Sequence, residues 1–174
     1  MTRTIIRSFD DPADAETAIT RLEAAGLPPD DISIIRSPPG TISKDASRGA
    51  EVGGAVGAGA GLLAGVAALP LPGVGPVLAA GWLLGTLAVG TTAGAVAGGL
   101  IGTLTGAGLS EDEAHFYAET IRRGSTMVSV RTSDSHAAVI EKILDGAGPI
   151  DAKARRGEYE RAGWTRFDET TSPP

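Results

Sequence analysis

The chain has 174 residues, enough for one domain or for a small domain with an insertion. Its 21 acidic and 15 basic residues give a net charge of −6, which argues against binding nucleic acid by general electrostatic attraction. Cysteine is absent, which excludes disulfides, thiolate chemistry and cysteine-ligated metals.

The first segment, residues 1–45, is typical of a β-α-β unit. "TRTIIRSF" is rich in β-branched residues and predicts a strand. Asp10 or Asp11 can cap a helix that begins near Pro12 and ends at Gly26. "DDISIIRS" then predicts a second strand, so we expect two parallel strands joined by a right-handed crossover.

The second segment, residues 46–109, is nearly free of charge, and none of the 59 residues between Glu51 and Glu111 is Asp, Glu, Lys, Arg or His. Glycine recurs there at every fourth position in two series: Gly49, Gly53, Gly57, Gly61, Gly65 and Gly90, Gly94, Gly98, Gly102, Gly106. On a helix, this spacing gives a stripe without side chains, against which another helix backbone can pack closely.

In antiparallel order, the two glycine series match in a single register, from 49 with 106 to 65 with 90. Pro70, Pro72 and Pro76 lie between them and predict the bend. The segment is therefore predicted to be a glycine-zipper helical hairpin, with the ten glycines as its helix-packing residues. A flexible linker, the other reading of a Gly/Ala-rich stretch, is disfavoured by the strict spacing.

This hairpin is long enough to cross a lipid bilayer, because a helix over Gly49–Leu69 would measure roughly 30 Å. Trp82 would then lie at the far interface. The basic residues that flank the hairpin are Lys44, Arg48, Arg122 and Arg123. By the positive-inside rule they predict an inner-membrane protein with both termini in the cytoplasm. Alanine and glycine are only weakly apolar, so a cytoplasmic homo-oligomer with buried hairpins is the alternative.

The third segment, residues 110–155, predicts α-β-α-β. Ser110 and Glu113 form a capping-box pattern ahead of the helix "EDEAHFYAETIRR". "TMVSVRT" alternates as a strand does, "SDSHAAVIEKILDG" predicts a capped helix, and "PIDAKA" predicts a short edge strand. Joined to residues 1–45, this segment predicts an α+β fold, a ferredoxin-like sandwich interrupted by the hairpin.

The last segment, residues 156–174, is a polar tail that contains Tyr159, Trp164 and Phe167. Trp164 and Phe167 could contact a neighbouring molecule or a membrane interface, where amphipathic rings are favoured. Packing of these rings on the protein's own sheet is the preferred interpretation.

No motif indicates an enzyme, a cofactor or a metal site. "GAGLLA" loosely fits a dinucleotide fingerprint, but it lies within the uncharged segment and no acidic residue follows at the required distance. His115 lies beside Glu111, Asp112 and Glu113, yet acidic residues in a first helical turn usually serve as caps and dipole partners. His136 follows a helix cap and is expected at the surface.

The chain resembles a family of bacterial general stress proteins, the heat-induced or low-temperature-induced proteins. The likeness is carried by "TIIRSFDDPADAETAITRLEAAGLPPDDISII", the glycine-zipper segment, "GSTMVSVRTSDSHAAVIEKILDGAGPIDA" and the tail "YERAGWTRF". The resemblance implies a stress-linked protein without catalytic residues. We therefore expect a self-assembling membrane protein, with a homo-oligomeric particle or a small-ligand sensor as alternatives.

Overall fold

A computed structural model describes residues 2–37, 67–71, 74–83 and 99–168 as an α+β fold. In chain order the described elements are β1 (Thr2–Phe9), α1 (Pro12–Ala24), a 3-10 turn (Pro29–Asp31), β2 (Ile32–Arg36), β3 (Ala67–Leu71), β4 (Gly75–Gly81), α2 (Leu100–Gly106), α3 (Glu111–Arg122), β5 (Thr126–Ser133), α4 (Asp134–Asp145) and α5 (Ala152–Arg161).

The five described strands form one sheet in the order β1-β5-β2-β4-β3, and all neighbours are antiparallel. Since β1 and β2 both run antiparallel to β5, they are parallel to each other, and the expected parallel orientation is confirmed. β5 lies between them, as in a split β-α-β unit. The two halves of the chain that flank the uncharged segment are thus parts of one sheet.

Helices cover both faces of this sheet, which explains why β2 is buried at every position. On one face, Phe9 and Val130 lie in a core cluster with Leu22 of α1 and Leu144 of α4. On the other face, Ile35 and Met127 lie in a cluster with residues of α2 and α3, among them Leu104 and Ile121. Each fully buried Leu or Ile side chain stabilises the fold by about 1.5–3 kcal/mol.

The chain reversal near Pro70 and Pro76 differs from the predicted bend between two helices. These residues lie opposite each other in a β-hairpin formed by β3 and β4, and β4 pairs with β2. Proline is compatible with an edge strand such as β3, which has one neighbour. The predicted helix therefore cannot extend to Leu69.

Trp82, predicted at a far membrane interface, lies in this domain with the Arg131 guanidinium 4.9 Å from its ring centroid.

The predicted edge strand "PIDAKA" was wrong, because α5 begins at Ala152. The Asp151 carboxylate accepts hydrogen bonds from the backbone N–H groups of Lys153 and Ala154, at 2.9 Å each, and caps this helix. One strand-like contact is present, because the Ile150 N–H donates to the carbonyl oxygen of Ser8 at 2.7 Å.

Two of the ten stripe glycines, Gly102 and Gly106, lie on the described helix α2, and the other eight lie outside the described residues. Leu100 and Leu104 of α2 are buried in the core. Positions two apart on a helix are about 200° apart, so Gly102 and Gly106 lie on the side of α2 opposite these leucines. Within the described part of the chain, no helix is both long and apolar enough to cross a membrane.

Gly81 of β4 lies very close to the backbone of β2. Its φ is +85°, and a Cβ placed there would lie 2.1 Å from the carbonyl oxygen of Ile32. We predict that Gly81→Ala lowers the free energy of unfolding by at least about 2 kcal/mol, through backbone strain and displacement of β4 from β2.

Gly157→Ala is the matched control. Gly157 lies inside α5, and a Cβ added at this position would have no described atom within 4 Å. This change should raise stability by up to about 1 kcal/mol, because alanine is the better helix former. Urea unfolding measures both effects, and equal stabilities of the two variants would contradict the role given to Gly81.

Candidate functional site

Helix α3 begins with the predicted capping box, which is confirmed. The Ser110 hydroxyl accepts a hydrogen bond from the Glu113 N–H, and the Glu113 carboxylate accepts one from the Ser110 N–H at 3.0 Å. Hydrogen bonds from the Ser110 hydroxyl and backbone hold the pKa of Glu113 below its ordinary value. Glu113 is therefore engaged as a cap, which agrees with the interpretation of the acidic first turn as caps and dipole partners.

From here on, the tail denotes residues 149–168, which include the described part of the polar segment 156–174. An ion pair attaches this tail to the start of α1. The Arg155 guanidinium donates two hydrogen bonds to the Asp10 carboxylate, at 3.0 and 2.6 Å. This fork lowers the pKa of Asp10, and the same bond raises the pKa of Arg155. The Ser125 hydroxyl also donates to Asp10 at 3.2 Å, so one carboxylate joins the tail to the turn before β5.

The aromatic residues of the tail pack on α3. Tyr159 and Trp164 are buried with Phe116 of α3, with ring centroids 6.0 Å apart for each successive pair. Phe167 is buried in the core cluster on the same face of the sheet. Packing on the protein itself, preferred for Trp164 and Phe167, is confirmed, but Trp164 packs with Phe116 of α3 and not on the sheet, whereas Phe167 lies in the cluster that includes sheet residues.

Guanidinium groups cover these rings. The carbon atom at the centre of the Arg123 guanidinium lies 4.2 Å from the centroid of the Tyr159 ring, and that of Arg156 lies 5.3 Å from Phe116. Arg122 stands over Phe167 at 5.4 Å. Arginine packs on ring faces through cation–π attraction and planar stacking, so the tail is held by polar and aromatic contacts together.

An open cleft of about 830 Å³, here called the tail cleft, lies between α3 and the end of the tail. Its lining residues are Ile101, His115, Arg122, Arg123 and residues 162–168. Below it, Glu119 is completely buried and forms ion pairs with Arg122 and, at 2.6 Å, with Arg123. Burial of a carboxylate is tolerated when such partners are present.

The histidine of this cleft has a defined hydrogen-bond role. Arg166 Nε is 2.9 Å from His115 Nε2, and Arg166 Nη2 donates to Glu111. An arginine nitrogen can only donate, so His115 Nε2 is the acceptor and the ring proton lies on Nδ1. Of the acidic residues beside His115, Glu111 thus shares Arg166 with the histidine, and the described residues contain no group of three or more His, Asp or Glu side chains placed to bind a metal.

The second histidine lies at the surface, as predicted. His136 Nδ1 is 3.2 Å from the Ser133 hydroxyl, which is also 2.8 Å from the Ser135 hydroxyl. Ser133 precedes α4, and this exposed cluster surrounds the beginning of that helix.

The tail cleft was not predicted from the sequence, since Arg166 and His115 are 51 residues apart. The one local signal was the run of arginines beside aromatic residues in the tail.

Neither the protein-family models, nor the curated proteins, nor the solved structures contain a match to this chain.

We predict that Asp10→Asn loosens the tail without unfolding the sheet. The carboxylate is largely exposed, so the docking free energy should fall by no more than about 1 kcal/mol. Hydrogen exchange of residues 149–168 at pH 7 should then be up to about 5-fold faster, with β5 unaffected. Asp30→Asn, which changes an exposed aspartate on the 3-10 turn, is the control.

The same ion pair predicts a pH dependence. The pKa of folded Asp10 lies below its unfolded value of about 3.8. The contribution of Asp10 to the docking free energy of the tail is therefore complete above that value and is lost as the pH falls through the folded pKa. The wild type and Asp10→Asn should differ less in the hydrogen-exchange protection of the tail below about pH 4. A difference that stays constant down to pH 2 would show that the charge of Asp10 is not what holds the tail.

Proposed function

We propose that the protein is a non-enzymatic, stress-associated protein that self-assembles through its glycine-striped segments. The observation that carries the proposal is the orientation of α2. Its leucines pack inward, whereas Gly102 and Gly106 lie on the opposite side, and a Cβ added at Gly106 would have no described atom within 4 Å. A stripe without side chains on that side suits close backbone contact with another helix.

The described residues that flank 38–66 and 84–98 support a common location for both glycine series. Ile35 pairs with Ala79 and Ala79 pairs with Ala67, so β2 and β3, the strands on either side of residues 38–66, lie about 10 Å apart across two strand spacings. Leu83 and Leu100, which flank the second gap, belong to one core cluster. Each glycine-rich segment is therefore attached at both of its ends to the same domain.

At a finer level of fold, we propose a ferredoxin-like sandwich into which these segments are inserted, with the stripes of 49–65 and 90–106 packed against each other. The split β-α-β arrangement of β1, α1 and β2 around β5 supports the first part. The matching glycine register supports the second.

Chain length favours burial of the segments against further copies of the protein. A helix that crosses a bilayer needs about 20 residues, so an excursion out and back needs about 40. Residues 38–66 number 29 and residues 84–98 number 15, and β3 and β4 lie between them in the sheet. A homo-oligomer that buries the stripes between subunits therefore suits these lengths better than a transmembrane hairpin.

An inner-membrane location, with both termini cytoplasmic and the bilayer as partner, is the second candidate. It is favoured by the absence of Asp, Glu, Lys, Arg and His from residues 52–110. Carbonate washing of membranes separates the two candidates. For the homo-oligomer, the protein should appear in the supernatant without detergent, and native mass spectrometry should give several copies per particle. Retention in washed membranes would favour the bilayer.

We predict that Gly57→Leu or Gly98→Leu separates the stripes and lowers the number of subunits in the oligomer. Four carbon atoms placed on a bare ridge keep the two backbones apart. Sedimentation velocity should show a smaller species with each variant. Ala55→Leu adds bulk to the same segment, about 200° away from Gly53 on a helix, and should leave the assembly intact. Oligomers of unchanged size and stability in both glycine variants would contradict the proposal.

A further inference from the structure

The end of the tail packs into the same core as helix α2. Phe167 is 4 % exposed and belongs to one buried cluster with Leu100 and Leu104 of α2, which are 2 % and 0 % exposed. Ile101, the second residue of α2, lines the tail cleft together with Phe167. The last ring of the tail and the apolar side of α2 therefore share one buried surface.

Helix α2 depends on this packing because little else stabilises it. As described, it has seven residues, whereas isolated helices shorter than about 12–15 residues are marginal in water. Its N-cap is Gly99, which has no side chain to accept a hydrogen bond from the first turn. Gly102 lowers the helix propensity further. The position of α2 is therefore set by its buried contacts, and the tail contributes to them.

The tail is attached to the domain by polar contacts near both of its ends. Near its start, Arg155 pairs with Asp10, whose side chain is 61 % exposed. Near its end, Arg166 pairs with Glu111, and both side chains are about two-thirds exposed. Ion pairs between exposed groups are weak, so the tail can leave the domain while the sheet stays folded. Its departure withdraws Phe167 from the cluster that positions α2.

We propose that the tail is a strap that holds α2 in place, so that docking of the tail and self-assembly through the glycine side of α2 are coupled. Gly102 and Gly106 lie opposite the leucines that share a cluster with Phe167, so one helix connects the tail to the stripe. By linkage, a docked tail strengthens assembly, and assembly stabilises the docked tail by the same factor. The coupling rests on the proposed self-assembly, whereas the strap itself does not.

The strap can be tested by hydrogen exchange of the full chain, at a protein concentration too low for assembly. The amides of Thr103 and Ala107 report on α2, because they donate to the carbonyl oxygens of Gly99 and Thr103 at 3.0 Å each. Asp10→Asn acts at the far end of the tail and should speed exchange of these amides by the same factor as that of the tail, up to about 5-fold. Asp30→Asn should leave both unchanged.

Phe167→Ala removes the ring itself. It should speed exchange of the two α2 amides at least about 10-fold, because a large buried side chain is lost from their cluster. Phe167→Leu keeps an apolar side chain there and should restore most of the protection. The strap is overturned if α2 exchanges at the wild-type rate in Phe167→Ala, or in Asp10→Asn while the tail exchanges faster. It is also overturned if β5 exchanges faster along with α2, since the sheet would then be opening too.

The coupling to assembly is tested by sedimentation velocity. Trp164→Ala combined with Phe167→Ala removes two buried rings and should undock the tail in most molecules. The dissociation constant of the oligomer should then rise at least about 5-fold, in proportion to the lost fraction of docked tails. Equal assembly of the wild type and the double variant would refute the coupling.

The reverse effect has its own control. Raising the concentration of the wild type until it assembles should slow exchange of the tail amides. Gly106→Leu should abolish this slowing without speeding α2 exchange in the single subunit, because a Cβ at this position has no described atom within 4 Å. A wild type that never assembles would refute the proposed function alone, since α2 exchange in the single subunit still decides whether the tail is a strap.

Discussion

The structure depends on the insertion of β5 between β1 and β2. This strand pairs along its whole length with β1 and through its first five residues with β2, although 89 residues separate the end of β2 from its start. The two charged halves of the chain therefore fold as one unit, and neither half could complete the sheet alone. Because β5 is buried on both faces, α1 and α4 are required on one face and α2 and α3 on the other. The uncharged region between the halves contributes β3 and β4 to this sheet and α2 to the core on one of its faces.

The tail is held by a different kind of interaction from the one that stabilises the two core clusters of the sheet. Its rings pack on α3, but its position is set by arginines: Arg155 on Asp10, Arg156 on the Asp112 carbonyl oxygen and Arg166 on His115. Arginine can stack on a ring and donate to a carboxylate at once, because its guanidinium is planar and carries five N–H donors. These contacts are partly open to solvent, so the tail is attached less firmly than the strands beneath it.

The sequence predicts the parts of this architecture that depend on short spacings. The Ser110–Glu113 cap, the β-branched strand "TRTIIRSF" and the helices α1, α3 and α4 all follow from residues within a few positions of each other. β3 and β4 were missed because the apolar run "AALPLPGVGPVLAAG" has no alternation, and such a run is compatible with a buried strand or with a helix. α5 was missed for the opposite reason, since "PIDAKA" alternates yet Asp151 caps a helix. Asp10 and Arg155 are 145 residues apart, and no local pattern reports such a pair.

The position of β3 and β4 constrains what the glycine-rich segments can do. The hairpin lies between residues 38–66 and 84–98, and the described elements on either side of each range belong to the sheet or to the core cluster that contains Leu83 and Leu100. A loop closed at both ends has less conformational entropy to lose when it packs against a partner than a free tail of the same length. For the proposed contact between the stripes, attachment at both ends lowers the entropy cost. The C-terminal end of residues 38–66 continues into β3, which pairs with β4, and in β4 Gly81 lies against the backbone of β2. In the proposed assembly, the pairing of β4 with β2 therefore holds the attachment point of this segment to the sheet.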